Sequence, residues 1–240
     1  PMTQDRSAAP TASLVLEEDA ARPLRDVVRA GTAVQRTIAA AIIFLSMFLG
    51  VLMIYTAAAG TITAYLQRIA FVWGIVSIGL LVRSARGVPW QRRSWASLAP
   101  DAAVVLVLLA GMIHVFADYD EFALRIGFPL PSDLAYGIVY ILATLEVTRR
   151  FIGWPMLLIS GVFGIQALFG EYFPGFFRAP DVRWETFVEI LFMQDQGIFG
   201  PTTGVAATYL MLFLIFGAVL VRTNGIVFFE KLSLALLGRR

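Results

Sequence analysis

A single histidine, no cysteine and a few charged residues set inside apolar stretches define what chemistry this 240-residue chain has to offer. Glu146 stands three residues before Arg149 and four before Arg150, the order in which an acid and following bases attract one another on a helix face. An ionisable group at membrane depth is costly and is a functional candidate by default. Two roles are open to this trio: a locally neutralised ion pair that fixes a helix end, or a proton or ion relay. The structural role is favoured. His114, one turn before Asp118, is suited to an interfacial hydrogen bond more than to proton coupling, since one histidine without a clear partner makes a poor relay. Gln166 fits an interhelical hydrogen bond better than a substrate contact.

Enzyme signatures are missing. There is no H-E-x-x-H, no G-x-S-x-G and no Walker A lysine after glycines, and the sole lysine, Lys231, is in no such loop. Ser46, Ser77 and Ser160 have no histidine or aspartate on their own helices, so a base would have to come from another helix. The lack of cysteine excludes disulfides, thiolate metal sites and cysteine nucleophiles. No catalytic residue, cofactor or metal site is expected, and the favoured reading is not an enzyme.

The elements that position these residues are set by composition. The chain is 58% hydrophobic and 15% charged, with a mean hydropathy of +0.76. A soluble globule carries about 25% charged residues, so the bilayer is the expected solvent. The net charge of +2 comes from basic residues at helix ends, which act as topological anchors and not as a nucleic-acid surface.

Flanking charge alternates along six apolar stretches. Arg22, Arg25, Arg29 and Arg36 precede the first, and Arg83, Arg86, Arg92 and Arg93 follow the second. Asp118, Asp120, Glu121 and Asp133 lie between the third and fourth. Arg149 and Arg150 end the fourth; Glu171, Asp181, Glu185, Glu189 and Asp195 follow the fifth; Arg222, Lys231, Arg239 and Arg240 follow the sixth. Basic residues are retained on the cytoplasmic side. The expectation is an all-α, polytopic integral membrane protein of about six transmembrane helices with both termini in the cytoplasm, plus short interfacial amphipathic helices.

The first stretch runs from Thr37 to Ala59, long enough to cross a hydrocarbon core of about 30 Å. The second must begin near Thr63, which leaves Arg68 about a turn inside the outer interface, within snorkelling reach of the headgroups. The third lies between Asp101 and Asp118, and the fourth runs from Leu134 through Glu146 to Arg150. A tight turn leads to the fifth, which starts after Gly153 with Pro155 in its first turn and continues to Phe169. The sixth spans about Gly204 to Val221, and Gly50 and Gly217 offer small faces for close packing.

Residues 1–21 are mixed in charge and alanine-rich, which predicts a disordered cytoplasmic tail and no cleaved signal peptide. Pro1 before Met2 implies that the numbering does not begin at a natural start codon. Trp184, Phe187, Val188, Leu191 and Phe192 share a helical face, with Glu185 and Glu189 on the other. The pattern predicts an amphipathic helix on the outer surface, an interfacial anchor first and a docking face for an external partner second. Phe228, Phe229, Leu232, Leu236 and Leu237 form a similar face, suited to anchoring or to leading into a further membrane element.

Specific stretches carry a resemblance. Gly197-Ile-Phe-Gly-Pro-Thr-Thr-Gly-Val-Ala-Ala-Thr onwards to Leu220, then Thr223-Asn-Gly-Ile-Val-Phe-Phe and Ala235-Leu-Leu-Gly-Arg-Arg240, resembles the opening of the large membrane subunit of tripartite ATP-independent periplasmic (TRAP) transporters. Leu145-Glu-Val-Thr-Arg-Arg150, Gly153-Trp-Pro and Ala167-Leu-Phe-Gly-Glu-Tyr-Phe-Pro174 resemble the small-subunit half of the fused form. The resemblance implies a bacterial or archaeal cytoplasmic-membrane permease component. Such permeases import organic anions, mostly carboxylates, on a sodium gradient from a periplasmic binding protein of the TAXI type. It implies a tail (1–21), small-subunit-like scaffold helices (22–170), an external amphipathic segment (171–203) and the start of the large transport subunit (204–240). The family's sodium and substrate sites lie beyond the position matching Arg240, so the partners implied are that remainder or a separate large subunit, the binding protein and the lipid bilayer. The chain is then either a fragment or a shortened protein that works with a partner. Two alternatives share the layout: a non-transporting scaffold or assembly subunit, and the small subunit of a tripartite tricarboxylate transporter, against which the sixth helix argues.

Overall fold

The computed structural model of the protein describes residues 32–60, 63–83 and 94–237. The expected tail over residues 1–21, and the anchoring arginines at 22, 25, 29, 86, 92, 93, 239 and 240, lie outside them. The described residues are helical, without a strand of their own. Four helices are long and apolar enough to cross a membrane: α1 (Ala33–Ala59), α2 (Ala64–Val82), α3 (Trp95–Ala117) and α8 (Pro201–Arg222). Between them come α4 (Tyr119–Leu124), α5 (Pro131–Phe151), α6 (Trp154–Leu168) and α7 (Trp184–Phe192), and α9 (Gly225–Leu237) follows α8. At 21 residues α5 is long enough, but it carries Asp133, Glu146, Arg149 and Arg150; α6 is apolar throughout but has only 15 residues.

The ends follow local chemistry. Helix α1 starts four residues before the expected Thr37, because Thr32 donates its N–H to the Gln35 side chain (2.9 Å) and so closes a free helix terminus. It stops at Gly60, whose φ of 61° is the left-handed conformation that glycine tolerates best. Helix α3 likewise begins before Asp101, at Trp95 behind Ser94, where the Ser97 hydroxyl takes up the Ser94 N–H (3.1 Å). Proline at the first or second position opens α5, α6 and α8. Within α8, residues Ala206–Leu210 form one π-helical turn.

Helix α2 is the central element: 61% of its apolar window is buried, against 33% in α1 and 6% in α8. It packs on α1, α3, α5 and α8, and the close approaches are made at glycines. A Cβ on Gly74 would meet Leu49 of α1 at 3.0 Å, and one on Gly79 would meet Val147 of α5 at 2.9 Å. On α3, a Cβ at Gly111 would meet Tyr136 and Tyr140, each at 3.1 Å. Gly50 and Gly217, expected to serve close packing, instead face open space within this chain. Apolar density at the helix crossings, not a water-driven core, holds such a bundle together.

One end of the bundle is filled by rings. Tyr65, Phe122, Tyr140, Phe192 and Phe199 come from five different segments, with Tyr65–Phe199 at 5.2 Å and Tyr140–Phe192 at 5.3 Å between centroids. The phenols are satisfied: Tyr140 donates to the Leu108 carbonyl at 2.8 Å and Tyr65 donates to the Phe192 carbonyl.

Candidate functional site

The polar residues at membrane depth gather in two clusters. At the Arg83 end of α2, Arg150 projects from the last turn of α5 towards α2 and α3. Its Nη2 donates to Asp101 Oδ1 at 2.8 Å, its Nη1 to Asp101 Oδ2 at 3.2 Å and to the Arg83 carbonyl at 2.6 Å, and its Nε to Glu146 Oε1 at 2.8 Å. The Arg150 side chain is 4% exposed and that of Asp101 8%. Arg149 grips Glu146 with a second fork, Nε–Oε2 and Nη2–Oε1 both at 2.7 Å, and its guanidinium lies 5.8 Å from the Trp154 ring centre. The expected Glu146, Arg149 and Arg150 trio is therefore assembled, but it does more than fix its own helix end. Asp101, placed by the sequence at the margin of the third stretch, is the residue that turns the trio into a link between helices. The paired forks leave the carboxylates multiply bonded, so the chemistry of this cluster is cross-linking.

At the opposite end of the bundle, His114 of α3 meets Asp133 of α5, with Nε2 and Oδ1 2.8 Å apart. Asp133 is fully buried; its Oδ2 accepts the Leu130 N–H at 3.1 Å and lies 3.5 Å from Arg125 Nε. The partner that the sequence did not identify for His114 is thus Asp133, not the neighbouring Asp118. The same carboxylate caps α5 and ties α3 to the α4–α5 connection. Arg68 is also corrected: it does not extend to headgroups but donates Nη1 to the Phe199 carbonyl (2.9 Å) and to Asp195 (3.2 Å). Gly204 admits it, since a Cβ there would stand 2.9 Å from Arg68 Nε. Gln166 bonds the Phe177 carbonyl (3.0 Å) in the segment after its own helix, not a second helix.

The external segment is more deeply seated than an amphipathic surface helix. In α7, Phe192 is 0% exposed and Glu189 5%, whereas Trp184 is 53% exposed. Gly137 of α5 makes this possible, because a Cβ there would meet Val188 at 2.7 Å and Phe192 at 3.1 Å. Glu189, expected on the polar face, accepts the Gly127 N–H and a Gln194 N–H, both at 3.0 Å. Phe187 is half-buried, lining a groove with α6. Glu185 lies at the start of α7, where a bond to its own backbone N–H, and then Arg183 at 3.3 Å, hold its carboxyl below the usual range. On α9, Phe228, Phe229, Leu232 and Leu236 are exposed.

Glu189→Ala is expected to destabilise the protein by about 1–3 kcal/mol, since the Gly127 amide loses its acceptor in a half-buried connection. Limited trypsin digestion in detergent checks this: cleavage after Arg125 should accelerate while cleavage after Arg222 keeps its rate.

Among the described residues no group of three His, Cys, Asp or Glu side chains is placed to hold a metal ion. No protein-family model, curated protein or solved structure matches this chain.

Proposed function

We propose that this chain is the scaffold part of a membrane permease, a component of a sodium-driven secondary transporter that imports carboxylates delivered by a periplasmic binding protein. The observation that carries the reading is the use made of the charges at membrane depth. Arg150, Glu146 and Asp101 join three helices, His114 and Asp133 join two, and Arg68 holds the chain leading into α8. Such committed pairs make a frame against which another element moves; a transport pathway needs groups whose partners can be exchanged. The TRAP-like stretches supply the substrate class, the sodium gradient and the TAXI-type partner. In this reading α5 and α6 also cross the bacterial or archaeal cytoplasmic membrane, giving six spans with both ends inside.

The test is uptake of radiolabelled carboxylates into proteoliposomes under an inward sodium gradient. The chain joined to, or mixed with, a TRAP large-subunit segment and a TAXI-type binding protein should support uptake, and omission of either partner should abolish it. Absence of sodium-dependent uptake with every such combination would leave a non-transporting scaffold. Reporter fusions at Gly87, Ala123 and Arg183 should read cytoplasm, outside and outside; a cytoplasmic signal at Arg183 would remove the fourth and fifth spans.

Glu146→Gln separates the two roles of the charged trio. It weakens both arginine forks, so yield and thermal stability in detergent should fall by the equivalent of about 1–3 kcal/mol. Uptake per folded molecule, and its dependence on sodium concentration, should stay unchanged; loss of sodium coupling at normal yield would sink the scaffold reading.

A further inference from the structure

Helices α5, α6 and α7 enclose a groove of about 460 Å3, lined by Ile141 and Leu145 of α5, Phe163 and Leu168 of α6, and Phe187 and Leu191 of α7. Its polar side chains are the hydroxyls of Thr144 and Ser160, and the former is committed to the Tyr140 carbonyl at 2.8 Å. Water or a polar solute would find too few partners there, and no lining residue is charged, so nothing would hold a carboxylate or phosphate inside. We propose that this groove holds one acyl chain of a membrane phospholipid, its headgroup remaining outside. The inference rests on the reading that α5 and α6 lie within the bilayer.

Size separates a chain from a helix. Two helical turns, ~11 Å long and ~10 Å across, fill on the order of 850 Å3, well above the groove. A single side chain from a partner helix would leave most of the space empty, which forfeits dispersion contacts along its walls. At ~30 Å3 for a water-sized group, the groove takes about fifteen groups of methylene size, the scale of one lipid chain. Small residues form part of the wall: a Cβ on Gly161 would meet nothing within 4 Å, and one on Gly164 only the Phe187 ring edge at 3.7 Å. The space at Gly161 is open to an occupant, and helix α6 has no buried residue of its own.

The test uses the full chain in vesicles of phosphatidylethanolamine and phosphatidylglycerol, doped with phosphatidylcholine carrying a photoactivatable acyl chain. Labelled peptides are then mapped. Label on residues 141–145 and 160–168 is expected to exceed that on the exposed Phe44 and Met47 of α1 by about tenfold as the probe lipid is diluted. Gly161→Leu, which fills the groove without a steric clash at Cβ and favours the helix, should bring the groove label down to the α1 level. Equal labelling of groove and α1 before and after the substitution would overturn the proposal. So would displacement of the label by free oleate but not by unlabelled phospholipid. Ser160→Cys in this cysteine-free chain tests the underlying reading separately. Protection from a water-soluble maleimide with no preferential lipid label would defeat the acyl-chain site alone, whereas rapid reaction would place the groove in water and defeat both.

Discussion

Arg150→Met is expected to destabilise the protein by about 3–5 kcal/mol, the largest effect of any single charge removal described here. The cost arises from what is left behind. Asp101, 8% exposed, would lose both members of its fork, and the Arg83 carbonyl would lose its donor. A buried pair is weak evidence for stability when compared with an apolar pair, but breaking one partner strands a charge. The control is therefore the double variant Asp101→Asn with Arg150→Met, which removes the stranded charge and should recover at least half of the loss. Thermal unfolding in detergent, with urea unfolding of the same samples, measures both. Equal losses in the single and double variants would show that the fork does not join α3 to α5 energetically. The cluster's location makes the result informative about architecture, because Arg150 also reaches the end of α2 and so holds three helices at one point.

Phe192→Ala is the second large expectation, at about 3 kcal/mol. The ring is fully buried and meets Phe122 at 6.0 Å, Tyr140 at 5.3 Å and Phe199 at 5.7 Å, so truncation leaves a cavity bounded by rings that cannot all close on it. In a lipid solvent little of that cost is transfer from water; it is the lost contacts around the cavity that remain. Amide exchange should rise over Trp184–Phe192 and across the Met193–Gly200 connection, while the α1–α2 pair, joined through Leu49 and Gly74, keeps its protection. Unchanged exchange over α7 would mean that the helix is held by Val188 against Gly137 and not by the aromatic cluster. Gly137→Leu distinguishes these, since it denies Val188 and Phe192 their seat together.

Much of the site was legible in the residues themselves. Glu146, Arg149 and Arg150 form the expected forks because their spacing of three and four is a property of any helix. The helix from Trp184 to Phe192 follows from its apolar period in the same way. Other expectations depended on neighbours that spacing does not name. His114 and Asp133 are 19 residues apart, Asp101 and Arg150 are 49 apart, and Arg68 meets the Phe199 carbonyl across 131 residues. A signal was present for one of these: Asp101 after Pro100, six residues inside α3, is an acid too deep to be an ordinary end charge. The contrast between Glu185 and Glu189 carried no comparable signal. Both lie on the polar side of one helix, yet the Gly127 amide reaches only the second.

By itself, then, the sequence determined the helical class, the long apolar segments and the local ion forks, since hydropathy, periodicity and i, i+4 spacing act between residues close in the chain. Tertiary structure alone decided which small residues became crossings, which acids were buried and which cations they met. Gly74, Gly79 and Gly137 are packed while Gly50 and Gly217 are open, although all five look alike in sequence. The physical reason is that a helix presents all its faces in its sequence, and only the docking of a second helix selects the one on which a missing side chain becomes contact.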